Sequence, residues 1–117
     1  MSFVTPLRIA ALLGFFAVAL GASGAHGPLR VMLDANGRVS EWETGVLYHL
    51  VHAVVLLTLA QRMPPPRAAF ALFVAGIVLF SGSLYMLALT NAKALGAITP
   101  LGGLSLLAGW LALAFKR

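Results

Sequence analysis

A chain of 117 residues that is 61% hydrophobic and only 9% charged cannot fold as a soluble domain, because its apolar surface exceeds what a fold of this size hides from water. The net charge of +5 would suggest nucleic acid as a partner, but the eight basic residues stand singly or in pairs beside apolar segments, as membrane anchors do. We therefore expect a lipid bilayer as the partner and no nucleic acid, and the absence of cysteine excludes disulfides and thiolate metal ligands.

Polar or charged residues separate four long uncharged segments, at 9–25, 44–61, 68–92 and 94–115. Each can supply most of the roughly 20 residues that a membrane-crossing helix needs. The sequence therefore predicts an all-α fold, an integral membrane four-helix bundle, in a single domain over residues 1–117. We place its spans at about 6–25, 41–61, 68–89 and 97–115.

Small residues recur along one face of the first span, where another helix can approach closely; they are Ala10, Gly14, Ala17, Gly21 and Gly24. The pattern does not tell whether the partner helix belongs to the same chain, to a second copy or to another membrane protein. Ser23 to Ala25 imitates a signal-peptide cleavage site, but three more apolar segments follow. We expect the first helix to be retained.

The segment between the first two spans predicts a short interfacial helix that begins at Pro28, with Leu29, Met32 and Leu33 on one face. Arg30 and Asp34 are spaced to pair along it, and Asn36-Gly37 predicts the turn that follows. The second span then begins with Ser40 and Glu43 in the spacing of a capping box, and Trp42 stands where an interfacial aromatic would lie.

Proline residues shape the connections of the last two spans. The three prolines at 64–66 cannot continue a helix, so the second and third spans should form an antiparallel hairpin. Thr99-Pro100 is typical of an N-cap followed by a first helical residue. Residues 94–98 could then enter the membrane as non-helical backbone covered by other helices. Alternatively, the helix starts near Lys93 and kinks at Pro100.

Basic residues are unevenly divided between the two ends of the predicted bundle. An N-terminus inside the cell would put five on the cytoplasmic side and three outside, the latter being Arg30, Arg38 and Lys93. Positive residues are enriched on cytoplasmic loops. We expect a multi-pass protein of the cell inner membrane with both termini inside.

Polar side chains concentrate in the half of the bundle where the second span begins. Counted from Glu43, His49 and His52 lie roughly 9 and 13 Å deep, and Ser83 and Ser81 lie at similar depths counted from Thr90. We expect His52 to pack against the turn at 81–85 near the start of the fourth helix. The candidate polar cluster or ligand site consists of His26, Tyr48, His49, His52, Ser81, Ser83, Tyr85 and Thr99.

The two histidines of the second span allow two interpretations. Ionisable residues inside a membrane usually face the bundle interior and mark a functional site, but a neutral imidazole can also hold helices together through hydrogen bonds. A spacing of three residues puts His49 and His52 on one face, where they could bind a metal or haem. Carboxylates at similar depth are lacking, so we expect neither a cofactor nor a catalytic residue.

Four separated motifs resemble those of domain-of-unknown-function family 423, the small membrane proteins related to transmembrane protein 256. They are Gly-Ala-Ser-Gly-Ala-His-Gly at 21–27, the stretch from Trp42 to Ala53, Leu-Phe-Ser-Gly-Ser-Leu-Tyr at 79–85, and Leu-Gly-Ala-Ile-Thr-Pro-Leu-Gly-Gly at 95–103. The resemblance spans nearly the whole chain and implies a four-span membrane protein of unassigned function. It implies no activity and no catalytic residue.

The sequence thus favours a non-enzymatic membrane protein that serves as an accessory, assembly or small-ligand-binding subunit. A haem or metal protein that uses His49 and His52 is one alternative. An oligomeric channel or transporter is the other.

Overall fold

A computed structural model describes residues 4–115, with the side chain of residue 4 left out. Within that range, four helices are long and apolar enough to cross a membrane. We call them the first to fourth spans: Thr5–Ala25, Val39–Ala60, Arg67–Thr90 and Lys93–Ala114. The predicted all-α membrane bundle is confirmed.

Some spans are composed of more than one regular element. The α-helices are α1 (Val4–Ala25), α2 (Pro28–Asn36), α3 (Val39–Ala60), α4 (Arg67–Gly76), α5 (Gly82–Thr90) and α6 (Thr99–Ala114). A π-helical turn, Ile77–Ser81, joins α4 to α5 within the third span, and a 3₁₀ turn, Lys93–Ala97, opens the fourth span before α6.

The small-residue face of the first span packs against the second span of the same chain. Ala10 and Ala17 are buried there, and a Cβ on Gly21 would lie 3.1 Å from Val46. A Cβ on Gly24 would collide with the indole of Trp42, which is only 3% exposed. Its Nε1–H donates to the Leu20 carbonyl at 3.0 Å. The small residues leave room for the Trp42 ring between the two helices, so it faces the bundle rather than the lipid, near the start of the second span where the sequence predicts it.

The predicted short helix, α2, lies between the first two spans. It has Pro28 in its first turn and ends at Gly37, whose φ of 68° is the left-handed conformation that glycine adopts without strain. Leu33 is fully buried, and the predicted Arg30–Asp34 pair forms at 3.5 Å. The Asn36 side chain donates to the Ala88 carbonyl at 2.9 Å, which fastens α2 to the end of the third span.

The second span begins two residues earlier than the capping-box pattern indicates, since Ser40 as the N-cap would make Glu41 the first helical residue. The helix starts at Val39, its N-cap position is Arg38, and no side chain caps it. Arg38 instead binds the Glu41 carboxylate at 2.8 Å and donates from Nε to Asn91 Oδ1 at 2.8 Å. The predicted capping box of Ser40 and Glu43 is therefore wrong, because Arg38 supplies the contacts that order this end.

The third and fourth spans pack through glycines that let the backbones approach closely. A Cβ added to Gly102 would lie 2.6 Å from the Cα of Phe80, which belongs to the π turn. A Cβ added to Gly109 would lie 2.8 Å from the Phe73 ring. Leu106 covers Gly76 in the same way. Phe73 and Leu106 belong to the main apolar core, which also includes Leu56, Ala60 and Ile77.

The start of the fourth span combines features of both sequence-based alternatives. Residues 93–97 are helical, but as a 3₁₀ turn, and the α-helix begins only at Thr99. Most residues of that turn are exposed, so other helices do not cover it. Thr99 does not cap the helix, because its hydroxyl lies 2.6 Å from that of Ser83 instead.

Spans that are adjacent in the chain pack against each other, so the second and third spans are the most buried. The second and fourth spans run parallel, but they form no extensive helix–helix interface of their own. The third span lies between them, and their side chains meet mainly where Trp110 contacts His52. This arrangement leaves a groove along the surface.

Candidate functional site

His49 faces the seam between the second and third spans and is 4% exposed. Its Nδ1 lies 2.8 Å from the hydroxyl of Tyr85. One helical turn earlier, the Gly45 carbonyl accepts a hydrogen bond from the buried Ser81 hydroxyl at 2.7 Å. These contacts bring His49, Ser81 and Tyr85 together and join the two spans at the π turn.

His52 is bonded at both ring nitrogens. Its Nδ1 lies 2.7 Å from the Tyr48 carbonyl, and because a carbonyl only accepts, Nδ1 carries the proton. Nε2 is then free to accept the hydrogen bond that Trp110 Nε1 donates at 3.1 Å. The ring also packs against Phe73 and Trp110, with centroids 5.5 and 5.8 Å away. His52 is thus a neutral imidazole that connects three spans.

The expected contact of His52 with residues 81–85 is wrong. Its neighbour on the third span is Phe73, eight residues before Ser81, or roughly 12 Å along a helix. The predicted depth of His52 is counted from Glu43. The helix in fact begins at Val39, which lies roughly 6 Å closer to the end of the bundle. His52 consequently lies deeper than the count implied, and His49 takes the position beside Tyr85.

Of the other residues in the candidate cluster, some lie inside the bundle and others lie on its surface. Ser83 donates to the Phe80 carbonyl at 2.9 Å and lies beside Thr99, so it joins the third span to the fourth. Tyr48 is 41% exposed, and its ring packs at a tilt against that of Phe80, at a centroid distance of 4.7 Å. His26 is exposed at the end of α1, away from these contacts. The structure therefore brings the cluster together except for His26.

The two histidines do not form a shared metal site. His49 is turned toward Tyr85, and the Leu13 carbonyl of the first span interacts with its ring, whereas His52 is turned toward the fourth span. Nε2 of His49 is buried, and no atom of the described chain makes a well-formed hydrogen bond with it. Nor do any three His, Cys, Asp or Glu side chains of residues 4–115 group closely enough to hold a metal ion.

A groove with a volume of about 510 Å³ runs between the second and fourth spans and opens onto the surface that lipid covers. The third span forms its floor through Phe80. The groove is mainly apolar, and the lining residues that matter here are Tyr48, His52, Phe80, Pro100, Gly103 and Trp110. The bonded pair of His52 and Trp110 closes its deep end.

Sequence reasoning missed most of the groove residues outside the second span. Trp110 carried a partial signal, because an indole N–H inside a membrane needs an acceptor, but the sequence does not say which residue supplies it. Phe80 and Gly103 carried no such signal. Their role depends on the π turn and on the close approach of Gly102, which only the packed helices reveal.

Four membrane-crossing helices, joined by polar bonds inside one chain, define a small multi-pass membrane protein. The family model described as "Protein of unknown function (DUF423)" matches residues 20–103. The chain belongs to this family, as the sequence resemblance predicted.

Named relatives agree with this membership. The UPF0382 membrane protein YwdK of Bacillus subtilis (strain 168) is 43% identical over 109 residues, which cover 88% of this chain and 87% of the relative. A UPF0382 membrane protein of Haemophilus influenzae is 41% identical over 113 residues, covering 93% and 90%. The UPF0382 inner membrane protein YgdD of Escherichia coli (strain K12) is 43% identical over 111 residues, covering 89% and 82%. No solved structure matches the chain.

Proposed function

We propose that this protein is a non-enzymatic membrane protein that binds a lipid molecule in the groove between the second and fourth spans. The observation that carries the proposal is the length of that groove. From Pro100 to Trp110 it extends roughly 15 Å at helical rise, which is half of a 30 Å hydrocarbon core. The groove is therefore about as long as one leaflet is thick.

The chemistry of the groove also suits a lipid chain. Its walls are mainly leucine, glycine, proline and aromatic side chains, and its volume falls within the range of roughly 300–1,000 Å³ that is common for ligand sites. Tyr48 provides a polar contact in this apolar surface, because its hydroxyl makes no hydrogen bond to another described residue. An ester carbonyl of a phospholipid could accept that bond.

The geometry gives less support to a haem or metal protein. A ligand to His52 Nε2 would have to displace the Trp110 N–H, and a ligand to Nδ1 would break the bond to the Tyr48 carbonyl. His49 faces a different helix pair and leaves only Nε2 for a ligand. Hydrogen bonds within the chain account for both ring nitrogens of His52 and for Nδ1 of His49, which also favours a non-enzymatic role.

The fluorescence of Trp110 tests lipid binding, because this side chain lines the groove and is 45% exposed. Trp42, the other tryptophan, is buried. Phospholipids with brominated acyl chains, which quench tryptophan on contact, are added to the protein in a neutral detergent. We expect quenching to saturate at about one lipid per chain, as a single ligand-sized groove requires. The Trp110→Phe variant should show little quenching.

A pair of glycine variants distinguishes the groove from the rest of the lipid-facing surface. Gly103→Leu fills the groove at a position where a Cβ meets only the Phe80 ring at 3.7 Å, and it should abolish saturable quenching. Gly82→Leu adds the same side chain where no atom lies within 4 Å of the Cβ and should leave it unchanged. Quenching that rises without saturation, or equally in both variants, would contradict the proposal.

We further propose that the protein lies in the cell inner membrane with both termini in the cytoplasm, on the basis of the five-to-three division of basic residues. Because the chain has no cysteine, single cysteines can replace the exposed Ala35 of α2 and Met63 of the loop between the second and third spans. An impermeant thiol reagent applied to intact cells should label position 35 and spare position 63. The reverse pattern would contradict the orientation.

A further inference from the structure

A second, more polar cavity continues the groove toward the end of the bundle where α2 lies. Its volume is about 340 Å³, and it is lined by Ser40, Glu41, Thr44, Phe80, Leu84 and Thr99. Phe80 lines both cavities, and the Tyr48 ring packs against it where they adjoin. We call this cavity the outer crevice. Together, the crevice and the groove have the polarity profile of a phospholipid, with a polar end and an apolar end.

The charges around the outer crevice indicate which polar group it would accept. Glu41 is the one charged residue in its lining, and its carboxylate accepts hydrogen bonds from Arg38 at 2.8 Å and Ser40 at 3.1 Å. The backbone N–H of Glu41 also interacts with it, and because a carboxylate has about four acceptor positions, at least one remains. Arg38 is not part of the lining, and its Nε is already bonded to Asn91. The Arg38 guanidinium, 2.8 Å from this carboxylate, offsets part of its charge from outside the lining, so the crevice itself presents mainly hydrogen-bond acceptors.

Hydroxyl groups complete this surface. Thr44 lies one helical turn before Tyr48 on the second span, and Thr99 faces it from the start of the fourth span. Hydroxyl oxygens accept hydrogen bonds as well as donate them, so a head group with several N–H donors would find partners on both spans. A phosphate alone would instead face the Glu41 carboxylate without a cation in the lining.

We infer that the outer crevice binds the primary ammonium head of a zwitterionic phospholipid whose acyl chain occupies the groove. This inference rests on the proposed lipid binding and adds the class of head group. The ammonium would lie beside Glu41 and donate to a free acceptor position of its carboxylate and to the threonine hydroxyls. The lipid would belong to the leaflet at the α2 end of the bundle.

Head-group preference is measured with the same quenching of Trp110 in detergent. Phosphatidylethanolamine and phosphatidylglycerol with identical brominated chains are compared by the concentration that gives half-maximal quenching. The partly exposed ion pair should contribute up to about a fivefold preference for phosphatidylethanolamine. Glu41→Gln, which keeps an acceptor for Arg38, should lower the preference to near unity.

Glu43→Gln is the matched control, because Glu43 lies two residues away but lines a different cavity, with Gly24 and Trp42. This variant should keep the wild-type preference. Equal binding of both lipids, tighter binding of phosphatidylglycerol, or a preference that survives Glu41→Gln would overturn the head-group assignment while lipid binding stands. An absence of saturable quenching by any lipid would refute the proposed function itself, and the assignment with it.

Discussion

Replacing Gly102 with alanine should lower the free energy of unfolding by about 3 kcal/mol, the upper end of the usual cost of overpacking. The new Cβ would meet the Phe80 Cα at 2.6 Å and the Leu79 carbonyl carbon at 2.7 Å. These are backbone atoms of the π turn, so no side-chain rotation can relieve the contact. The third and fourth spans would have to separate. Reversible unfolding in mixed micelles with increasing dodecyl sulfate measures the change.

Gly103→Ala is the control for this prediction, since it makes the same substitution one residue later. There the Cβ would lie 3.7 Å from the Phe80 ring, an ordinary contact. Alanine is favoured over glycine in a helix by up to about 1 kcal/mol, so this variant should be as stable as the wild type or slightly more so. Equal destabilisation by both substitutions would show that the Gly102 contact is not specific.

Truncating Phe73 to alanine should cost about 3–5 kcal/mol, as for other buried aromatic residues. Phe73 is fully buried, and its ring packs between His52, Trp110 and Gly109. Its removal would leave a cavity at the junction of three spans and loosen the packing around His52. The same unfolding measurement in mixed micelles tests this expectation.

Phe15→Ala provides the comparison in which the same atoms are removed from the surface. Phe15 is 64% exposed on the first span, where lipid surrounds it in the folded bundle and in the separated helix alike. Its truncation should therefore change the free energy of unfolding by less than about 0.5 kcal/mol. A cost as large as that of Phe73→Ala would mean that the first span has a packing partner on this face.

The architecture was accessible from the sequence because local features determine it. The spacing of charged residues delimits the four spans, and Gly37 ends α2 as its position after Asn36 predicts. The amphipathic spacing also identified Leu33 as buried and Leu29 as partly buried, although Met32, predicted on the same face, is 41% exposed. Each of these features depends on residues that are close in the chain.

The hydrogen-bond partners of the polar side chains could not be predicted in this way, because they depend on how distant segments are aligned with each other. Arg38 and Asn91, 53 positions apart, join the end of the second span to that of the third and align the two helices. The π turn further changes which residues of the third span face the fourth. Trp42 and Trp110 consequently received no partner from sequence patterns, although each donates a hydrogen bond within the bundle.

The most direct test of lipid binding is native mass spectrometry of the protein released from detergent micelles. We expect the wild-type chain to retain about one phospholipid, consistent with a single groove of ligand size. The Gly82→Leu variant should retain this phospholipid as the wild type does, and the Gly103→Leu variant should be detected without it. A wild-type chain that carries no lipid, or a Gly103→Leu chain that carries as much as the wild type, would contradict binding in the groove.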